Sequence, residues 1–238
     1  LTPMNWPGAS GDPIEVSVES APWPVTPLSR DGGNFPNWSS PGILEWGSAN
    51  VYFRHDISTG KTDTVEVQLE VPRRMAQGTI ALTGARIVTM NGDQVIERGD
   101  IVIRDGRIVD LASSGSITIP ADAERVDVSG STIIPGLVDT HKHTSREAGG
   151  VLSQRSWELA ANLAYGITTG LEPSGWNEAI FTMAEGVEAG VRTGTRMFST
   201  GSSISGGAGT RRGPVDSPED AQSEVNRMVS YGARSIKQ

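Results

Sequence analysis

Short alternating stretches of apolar and polar residues mark the first 76 residues of this 238-residue chain. Clusters of Gly, Pro, Ser and Asp separate these stretches. Alternation with a period of two is typical of β-strands, and turn residues between strands indicate hairpins. The pattern therefore predicts a β segment over 1–76, with strands at 14–18, 50–54 and 64–69.

Longer alternating stretches follow in residues 77–135. The pair Asp105 and Gly106 separates two of them, and an Asp-Gly pair in that position is a strong hairpin signal. This part is predicted to form a small antiparallel β domain of about six strands. The predicted strands are 79–83, 85–90, 100–104, 107–111, 124–128 and 132–134.

From residue 136 onward, short apolar stretches alternate with stretches of helical periodicity. A strand-to-strand spacing of roughly 30–38 residues is the size of a βα repeat, and repeated units of this kind predict a parallel sheet. Four such units are half of an eight-unit barrel. Strands are predicted at 137–138, 167–169, 196–198 and 235–236, and helices at 153–164, 177–189 and 218–230.

Residues typical of helix ends support these helices. Ser217 followed by Pro218 is a typical start for the last helix, and Gly190 and Gly232 are typical of helix C-termini. The last predicted strand, 235–236, lies at the very end of the sequence. We therefore expect the chain to be a piece of a longer protein.

Composition narrows the chemistry that the chain can perform. It contains no cysteine, which excludes disulfides, iron–sulfur clusters, cysteine-ligated zinc and thiol catalysis. Its formal net charge is −8, from 20 Lys and Arg against 28 Asp and Glu. This balance argues against a nucleic-acid partner, which requires a basic surface. No apolar run approaches the ~18 residues of a membrane-spanning helix, so we expect no transmembrane segment.

Two of the three histidines in the chain, His141 and His143, are separated by one residue. Residues i and i+2 of a strand project to the same side, and Asp139 is predicted to lie on that side below them. The pair follows the first predicted parallel strand, at the end where barrel enzymes place their chemistry. Because imidazole nitrogen is a common zinc ligand, the spacing predicts that both bind one metal ion. The alternative is two polar residues that merely close a strand.

The segment PGLVDTHKH (135–143) resembles the first metal-binding strand of the amidohydrolase superfamily. The segment GDIVIRDGRIV (99–109) resembles the small β-sandwich beside the barrel of that family, and VSGSTIIPG (128–136) resembles the join. Two further segments, ANLAYGITT (161–169) and GARSIK (232–237), resemble its imidazolonepropionase-like branch. The resemblance covers about residues 79–238 in the order that the family has.

The resemblance implies a mixed β and α/β fold with three parts. Residues 77–135 would form the β-sandwich domain, and 136–238 the first half of a TIM (β/α)8 metal-dependent hydrolase barrel. Residues 31–60 resemble the last blade of a TolB-like propeller, which would make 1–76 the C-terminal blade of an upstream propeller. In that fold, His55 is expected to pack within the blade and not to bind metal.

The resemblance also implies a set of site residues. His141 and His143 would bind one or two divalent metal ions, expected to be zinc. Lys237 corresponds to a lysine that relatives carbamylate and use as a bridging ligand. Glu172 stands where the branch often has Asp and is expected, with Asp139, behind the ligands. The general-base Asp and further His ligands are expected downstream, so this fragment holds no catalytic residue and is predicted to be inactive alone.

The implied activity is hydrolysis of an amide or cyclic-amide bond by metal-activated water. The substrate would be a small molecule or a short peptide, and formation of a homo-oligomer stays open. Propeller-fused relatives favour a periplasmic or exported protein over a cytoplasmic one. The glycine-rich segment 200–209 is interpreted as a flexible connection or, alternatively, as a substrate-facing loop. Other readings are a deaminase or isomerase on the same fold, and a propeller-based scaffold whose barrel does not catalyse.

Overall fold

The computed structural model describes residues 24–29, 31–144, 156–206 and 215–238. The predicted strand 14–18, the first residues of the predicted helix 153–164 and the last part of the glycine-rich segment lie outside these ranges. The chain divides into two compact units. One comprises Leu1–Gln68 and Val215–Arg227, and the other comprises Leu69–Pro214 and Met228–Gln238.

An antiparallel four-stranded sheet forms in the first unit, with its strands adjacent in chain order. Trp46 is buried and stacks on Phe53, with ring centroids 5.2 Å apart. His55 is also buried, and its Nδ1 lies 2.8 Å from the hydroxyl of Thr62. The prediction at 64–69 was shifted, because a turn at Gly60 lets the strand begin earlier. The strands are β1 (Asn34–Ser40), β2 (Ile43–Ser48), β3 (Val51–Asp56) and β4 (Lys61–Glu66).

The second sheet is built from five strands that follow the linker after β4. They are β5 (Thr79–Val88), β6 (Val95–Arg104), β7 (Arg107–Ser113), β8 (Glu124–Asp127) and β9 (Thr132–Ile133). The sheet order is β7-β6-β5-β8, and β9 also pairs with β5. Ala85, Ile87 and Ile101 form its buried core.

Two details of the prediction for this sheet were wrong. The predicted strands 79–83 and 85–90 are one strand, because Gly84 at φ +83° accommodates an irregularity in the pairing of β5 with β6. The sheet is also mixed and not antiparallel throughout, since β8 and β9 both run parallel to β5. The loops before these two short strands bring the chain back to the same end of β5, which hairpins cannot do.

The third sheet alternates with helices, as the sequence predicts. Strands β10 (Leu137–Asp139), β11 (Ile167–Glu172) and β12 (Arg196–Ser199) are parallel and adjacent in that order. Helix α1 (Trp157–Ala164) connects the first two strands, α2 (Asn177–Glu188) connects the next two, and α3 (Pro218–Ser230) follows β12. A buried core lies between this sheet and helices α1 and α2 and contains Leu159, Ile180, Met183 and Met197.

The predicted strand at 235–236 is wrong, because residues 233–238 contain no strand. A single backbone hydrogen bond, 2.9 Å from the Ile204 nitrogen to the Lys237 oxygen, joins this segment to the loop after β12. A strand requires a repeated ladder of such bonds. None of the helices in the described ranges has the length and apolar character that crossing a bilayer would require.

Candidate metal site

His141 and His143 lie in the turn that follows β10, at the carboxyl-terminal edge of the parallel sheet. Two hydrogen bonds hold this turn. The Asp139 carboxylate accepts the backbone N–H of His141 at 3.1 Å. The backbone N–H of Lys142 donates to the Leu171 carbonyl in β11 at 2.8 Å. Asp139 therefore shapes the backbone that carries the imidazoles.

The two imidazole rings are neighbours. Their centroids are 5.2 Å apart and the ring planes meet at 79°. The side chain of His143 is 51% exposed, which leaves it open to a ligand. Within the described ranges, no group of three or more His, Asp or Glu side chains is placed to hold a metal ion. The described ranges therefore bring two candidate donors together at this place.

Glu172 ends β11 and supports His143 from behind. It is 2% exposed, and its Oε1 lies 2.8 Å from Nδ1 of His143. Its Oε2 accepts the backbone N–H of Thr144 at 2.6 Å, and Oε1 also accepts the backbone N–H of Ser174 at 3.1 Å. An Nδ1–H that donates to this carboxylate leaves Nε2 as the free lone pair, which is the arrangement behind many metal-bound histidines.

Lys142 is a residue that the sequence reasoning missed. It is 6% exposed, and its Nζ lies 3.6 Å from the sulfur of Met197 in β12. Burial lowers the pKa of this ammonium, although Asp139, Glu158 and Glu172 act in the opposite direction. The signal was available, because a residue between two that share one face of an extended chain projects to the opposite face.

The end of β12 and the loop after it are joined to the backbone carbonyl of Glu172. Ser199 donates its hydroxyl to the Glu172 carbonyl at 2.7 Å and accepts the backbone N–H of Gly201 at 2.9 Å. The amide oxygen of Asn177, at the start of α2, accepts the backbone N–H of Ser202 at 2.9 Å. The described part of the glycine-rich segment, 200–206, is thus anchored to both β11 and α2.

Two other candidate residues, Lys237 and His55, have different neighbours from those of His141 and His143. Lys237 is partly buried, and the hydrogen bond that places it is the one from Ile204 to its backbone carbonyl. This contact sets Lys237 beside the loop after β12, while its role as a carbamylated ligand stays a prediction. His55 belongs to the four-stranded sheet and packs there beside Thr62.

Comparison with known proteins gives short but consistent matches, and no family model matches the chain. A 5′-deoxyadenosine deaminase from Methanothermobacter thermautotrophicus is 42% identical over 72 residues, which are 30% of this chain and 16% of that protein. A D-hydantoinase from Streptomyces coelicolor is 32% identical over 111 residues, covering 45% and 23%. An imidazolonepropionase from Vibrio cholerae is 38% identical over 66 residues, covering 26% and 16%. The matches thus span less than a quarter of each relative.

A solved structure extends the likeness over more of the chain. A Bifidobacterium longum protein assigned as a prolidase matches with a TM-score of 0.54 and 26% identity. The match covers 68% of this chain and 40% of that one. The sequence relatives are amidohydrolases that act on carbon–nitrogen bonds, and the structural match extends over about two thirds of this chain. These findings support the amidohydrolase superfamily, to whose members the chain is similar over less than half of their length.

Proposed function

We propose that this chain is part of a metal-dependent hydrolase that cleaves carbon–nitrogen bonds in a small amide or cyclic amide. The observation that carries the proposal is the pair of His143 and buried Glu172, 2.8 Å apart, with His141 beside it. A carboxylate that orients an imidazole through Nδ1 is typical of a metal ligand and its supporting residue. The hydantoinase and imidazolonepropionase relatives support the substrate class.

The donor chemistry fits a divalent ion such as zinc. His141 and His143 would hold it through ring nitrogens, and carbamylated Lys237 would add an oxygen donor. When bound, such an ion lowers the pKa of a water molecule to near neutrality and polarises a carbonyl group. The donor set is incomplete in the described ranges, so we propose that downstream barrel strands supply further His ligands and a general-base Asp.

Within this chain, the supporting residues orient the ligands and perform no bond-breaking step. Glu172 holds His143 in the tautomer with a free Nε2. Asp139 and the Lys142–Leu171 hydrogen bond hold the turn between β10 and the imidazoles. Because these residues orient ligands and break no bond, we propose that residues 1–238 bind metal weakly and do not catalyse hydrolysis.

We also propose three domains for the chain: a propeller blade in 1–76, a sandwich in 77–135 and half a barrel in 136–238.

A deaminase is the second candidate function. The observation that favours it is the 42% identity to a 5′-deoxyadenosine deaminase over 72 residues. Deamination also replaces a carbon–nitrogen bond by attack of water, so the two candidates differ in substrate and in the release of ammonia. A scaffold protein with a non-catalytic barrel would need neither a metal ion nor an oriented imidazole.

Metal binding by the chain tests the proposal directly. We expect Co²⁺ to bind to the purified 238-residue chain, with a visible spectrum typical of nitrogen ligands. His143→Ala should weaken the affinity at least tenfold, because it removes one of two ligands. His55→Gln is the matched control, since His55 belongs to the other compact unit, and it should leave binding unchanged.

Two results would contradict the proposed site. One is a wild-type chain that shows no Co²⁺ spectrum at protein and metal concentrations in the millimolar range. The other is a spectrum that His55→Gln abolishes and His143→Ala retains. Where Co²⁺ binds as expected, competition with zinc measures which of the two ions the site prefers.

A further inference from the structure

Lys142 stands between the two candidate ligands and is the buried member of the three. It is 6% exposed, whereas His141 and His143 are both exposed. A buried lysine is unusual, because removing an ammonium from water costs several kcal/mol unless it is paired. Packing contacts of its long side chain hold Lys142 in this buried position.

Those contacts reach across two neighbouring strands. A Cβ added to Gly170 in β11 would lie 3.0 Å from Cδ of Lys142, so the aliphatic stem passes directly over this glycine. Beyond it, Nζ lies 3.6 Å from the sulfur of Met197, which belongs to the core between the sheet and its helices. The side chain is thus packed on β11 and β12 while its backbone follows β10.

The position of buried Lys142 between two exposed histidines has a consequence for the site. Lys142 is buried while the histidines on either side of it are exposed, so the three side chains leave the turn on different sides. His143 must be directed accurately, because its Nδ1 bonds to Glu172 at 2.8 Å. A rotation of the backbone at Lys142 would move both imidazoles away from these positions.

We infer that Lys142 is a positioning residue, whose stem, packed over Gly170 and against Met197, holds His143 in hydrogen-bond contact with Glu172. The inference deepens the proposed function, since the positioned imidazoles are the proposed metal ligands. The apolar surroundings of the stem indicate that its length and packing position the turn. A methionine at this position has a stem of similar length and should do the same.

The test is the state of the imidazoles in the metal-free chain. Long-range proton–nitrogen NMR spectra distinguish the two neutral tautomers of each histidine at a pH above the ordinary imidazole range. The chain has three histidines, and His55 in the four-stranded sheet is an internal reference. We expect wild type and Lys142→Met to show His143 protonated at Nδ1, and Lys142→Ala to show a mixture of tautomers, with His55 unchanged.

Further variants separate positioning from general stability. Met183→Ala removes a buried side chain from the same core and should lower the melting temperature without changing the His143 spectrum. Gly170→Ala keeps the lysine but displaces its stem, so it should change the His143 spectrum even where Lys142→Ala does not fold. A His143 spectrum in Lys142→Ala and Gly170→Ala that matches wild type would overturn the inference. So would a Lys142→Met spectrum that matches Lys142→Ala.

Measurements of Co²⁺ binding distinguish a failure of this inference from a failure of the proposed function. We expect Lys142→Ala to weaken Co²⁺ binding about tenfold and to alter its visible spectrum, and Lys142→Met to bind within about threefold of wild type. If wild type keeps the Nδ1 tautomer of His143 but binds no Co²⁺, the proposed metal site fails while the positioning role stands. If wild type binds Co²⁺ and all Lys142 variants bind equally well, the positioning role fails alone.

Discussion

Asp100 and Glu172 are buried carboxylates whose oxygens accept hydrogen bonds from several groups. Asp100 accepts the backbone N–H groups of Gly84 and Gly115 and the hydroxyl of Ser114. Glu172 accepts backbone N–H groups in the same way, but also the exposed imidazole of His143. An identical chemical group thus fixes a turn in one place and orients a candidate ligand in the other.

The stability that Asp100 contributes should depend on pH. Burial alone would raise its pKa, but the hydrogen bonds from Ser114, Gly84 and Gly115 outweigh burial and lower the pKa below its ordinary value. A lowered pKa in the folded state stabilises the fold above the unfolded-state value, ~3.9, and this contribution is lost as the pH falls through the folded-state pKa. Asp100→Asn should therefore cost about 1–3 kcal/mol at neutral pH.

Urea unfolding of Asp100→Asn and wild type at neutral and acidic pH measures this dependence. The difference in unfolding free energy should shrink toward low pH, because wild type then loses the charged acceptor as well. Asp93→Asn, at an exposed turn of the same sheet, is the control and should change stability little at either pH. An equal loss for Asp100→Asn at both pH values would contradict the assigned role of the charge.

Residue-level prediction from sequence succeeded where spacing alone determines the geometry. The separation of His141 and His143 predicted neighbouring rings, and the structure places them 5.2 Å apart. The partner of His143 depends on a residue 29 positions away, so spacing could not supply it, and Glu172 was named only through resemblance. Lys142 was missed because a charged side chain is ordinarily expected to be exposed to solvent. The long aliphatic stem of a lysine nevertheless allows burial.

Helix α3 shows how local chemistry determines an element. Its predicted bounds, 218–230, match the structure at both ends. The Ser217 hydroxyl accepts the backbone N–H of Asp220 at 3.1 Å, and the Asp220 carboxylate accepts the backbone N–H of Ser217 at 3.0 Å. These reciprocal bonds form a capping box that satisfies donors left free at the helix start.

Loss of this cap should weaken the helix measurably. Ser217→Ala removes the acceptor for the Asp220 N–H and should cost about 0.5–2 kcal/mol. Hydrogen exchange of the amides in the first turn of α3 should accelerate by a corresponding factor, which mass spectrometry of that segment can follow. Ser235→Ala, at an exposed serine outside the helix, is the control. Unchanged exchange in α3 would contradict a stabilising role for the cap.

The strand predicted at 235–236 failed for a reason that belongs to tertiary structure. Its short apolar pattern is compatible with a strand, but a strand exists only when neighbours satisfy its backbone groups. Here one bond to Ile204 is the pairing that the described chain provides. Strands β10 to β12 formed because each has a parallel neighbour, and helices α1 and α2 pack against β11 and β12.

At the scale of the whole molecule, the order of the segments was more informative than any one of them. The five-stranded sheet, the join and the His-x-His turn follow one another along the chain, and this order resembles that of the amidohydrolase superfamily. The parallel pairing of β8 and β9 with β5 was not predictable, because those strands are short and their partner is distant in sequence. Alternation indicates a strand but does not specify its neighbour or direction.

The proposed activity should require more chain than the 238 residues contain. We expect the 238-residue chain with zinc to leave hydantoin and imidazolonepropionate unchanged, since its described ranges supply an incomplete donor set. A protein extended through the downstream coding sequence should hydrolyse at least one substrate of this class. His143→Ala in the extended protein should lower kcat/KM by at least tenfold, because it removes a ligand of the proposed metal.

The products of the extended protein distinguish the candidate reactions. Ring opening of a cyclic amide releases no ammonia, whereas deamination of an adenosine analogue releases one equivalent, so an ammonia assay separates hydrolase from deaminase. Zinc-dependent turnover by the 238-residue chain would contradict the proposed need for downstream ligands. An extended protein that binds zinc through His141 and His143 yet turns over neither substrate class would favour a barrel that binds metal without catalysis, because an oriented ligand pair needs a general base to activate water for attack.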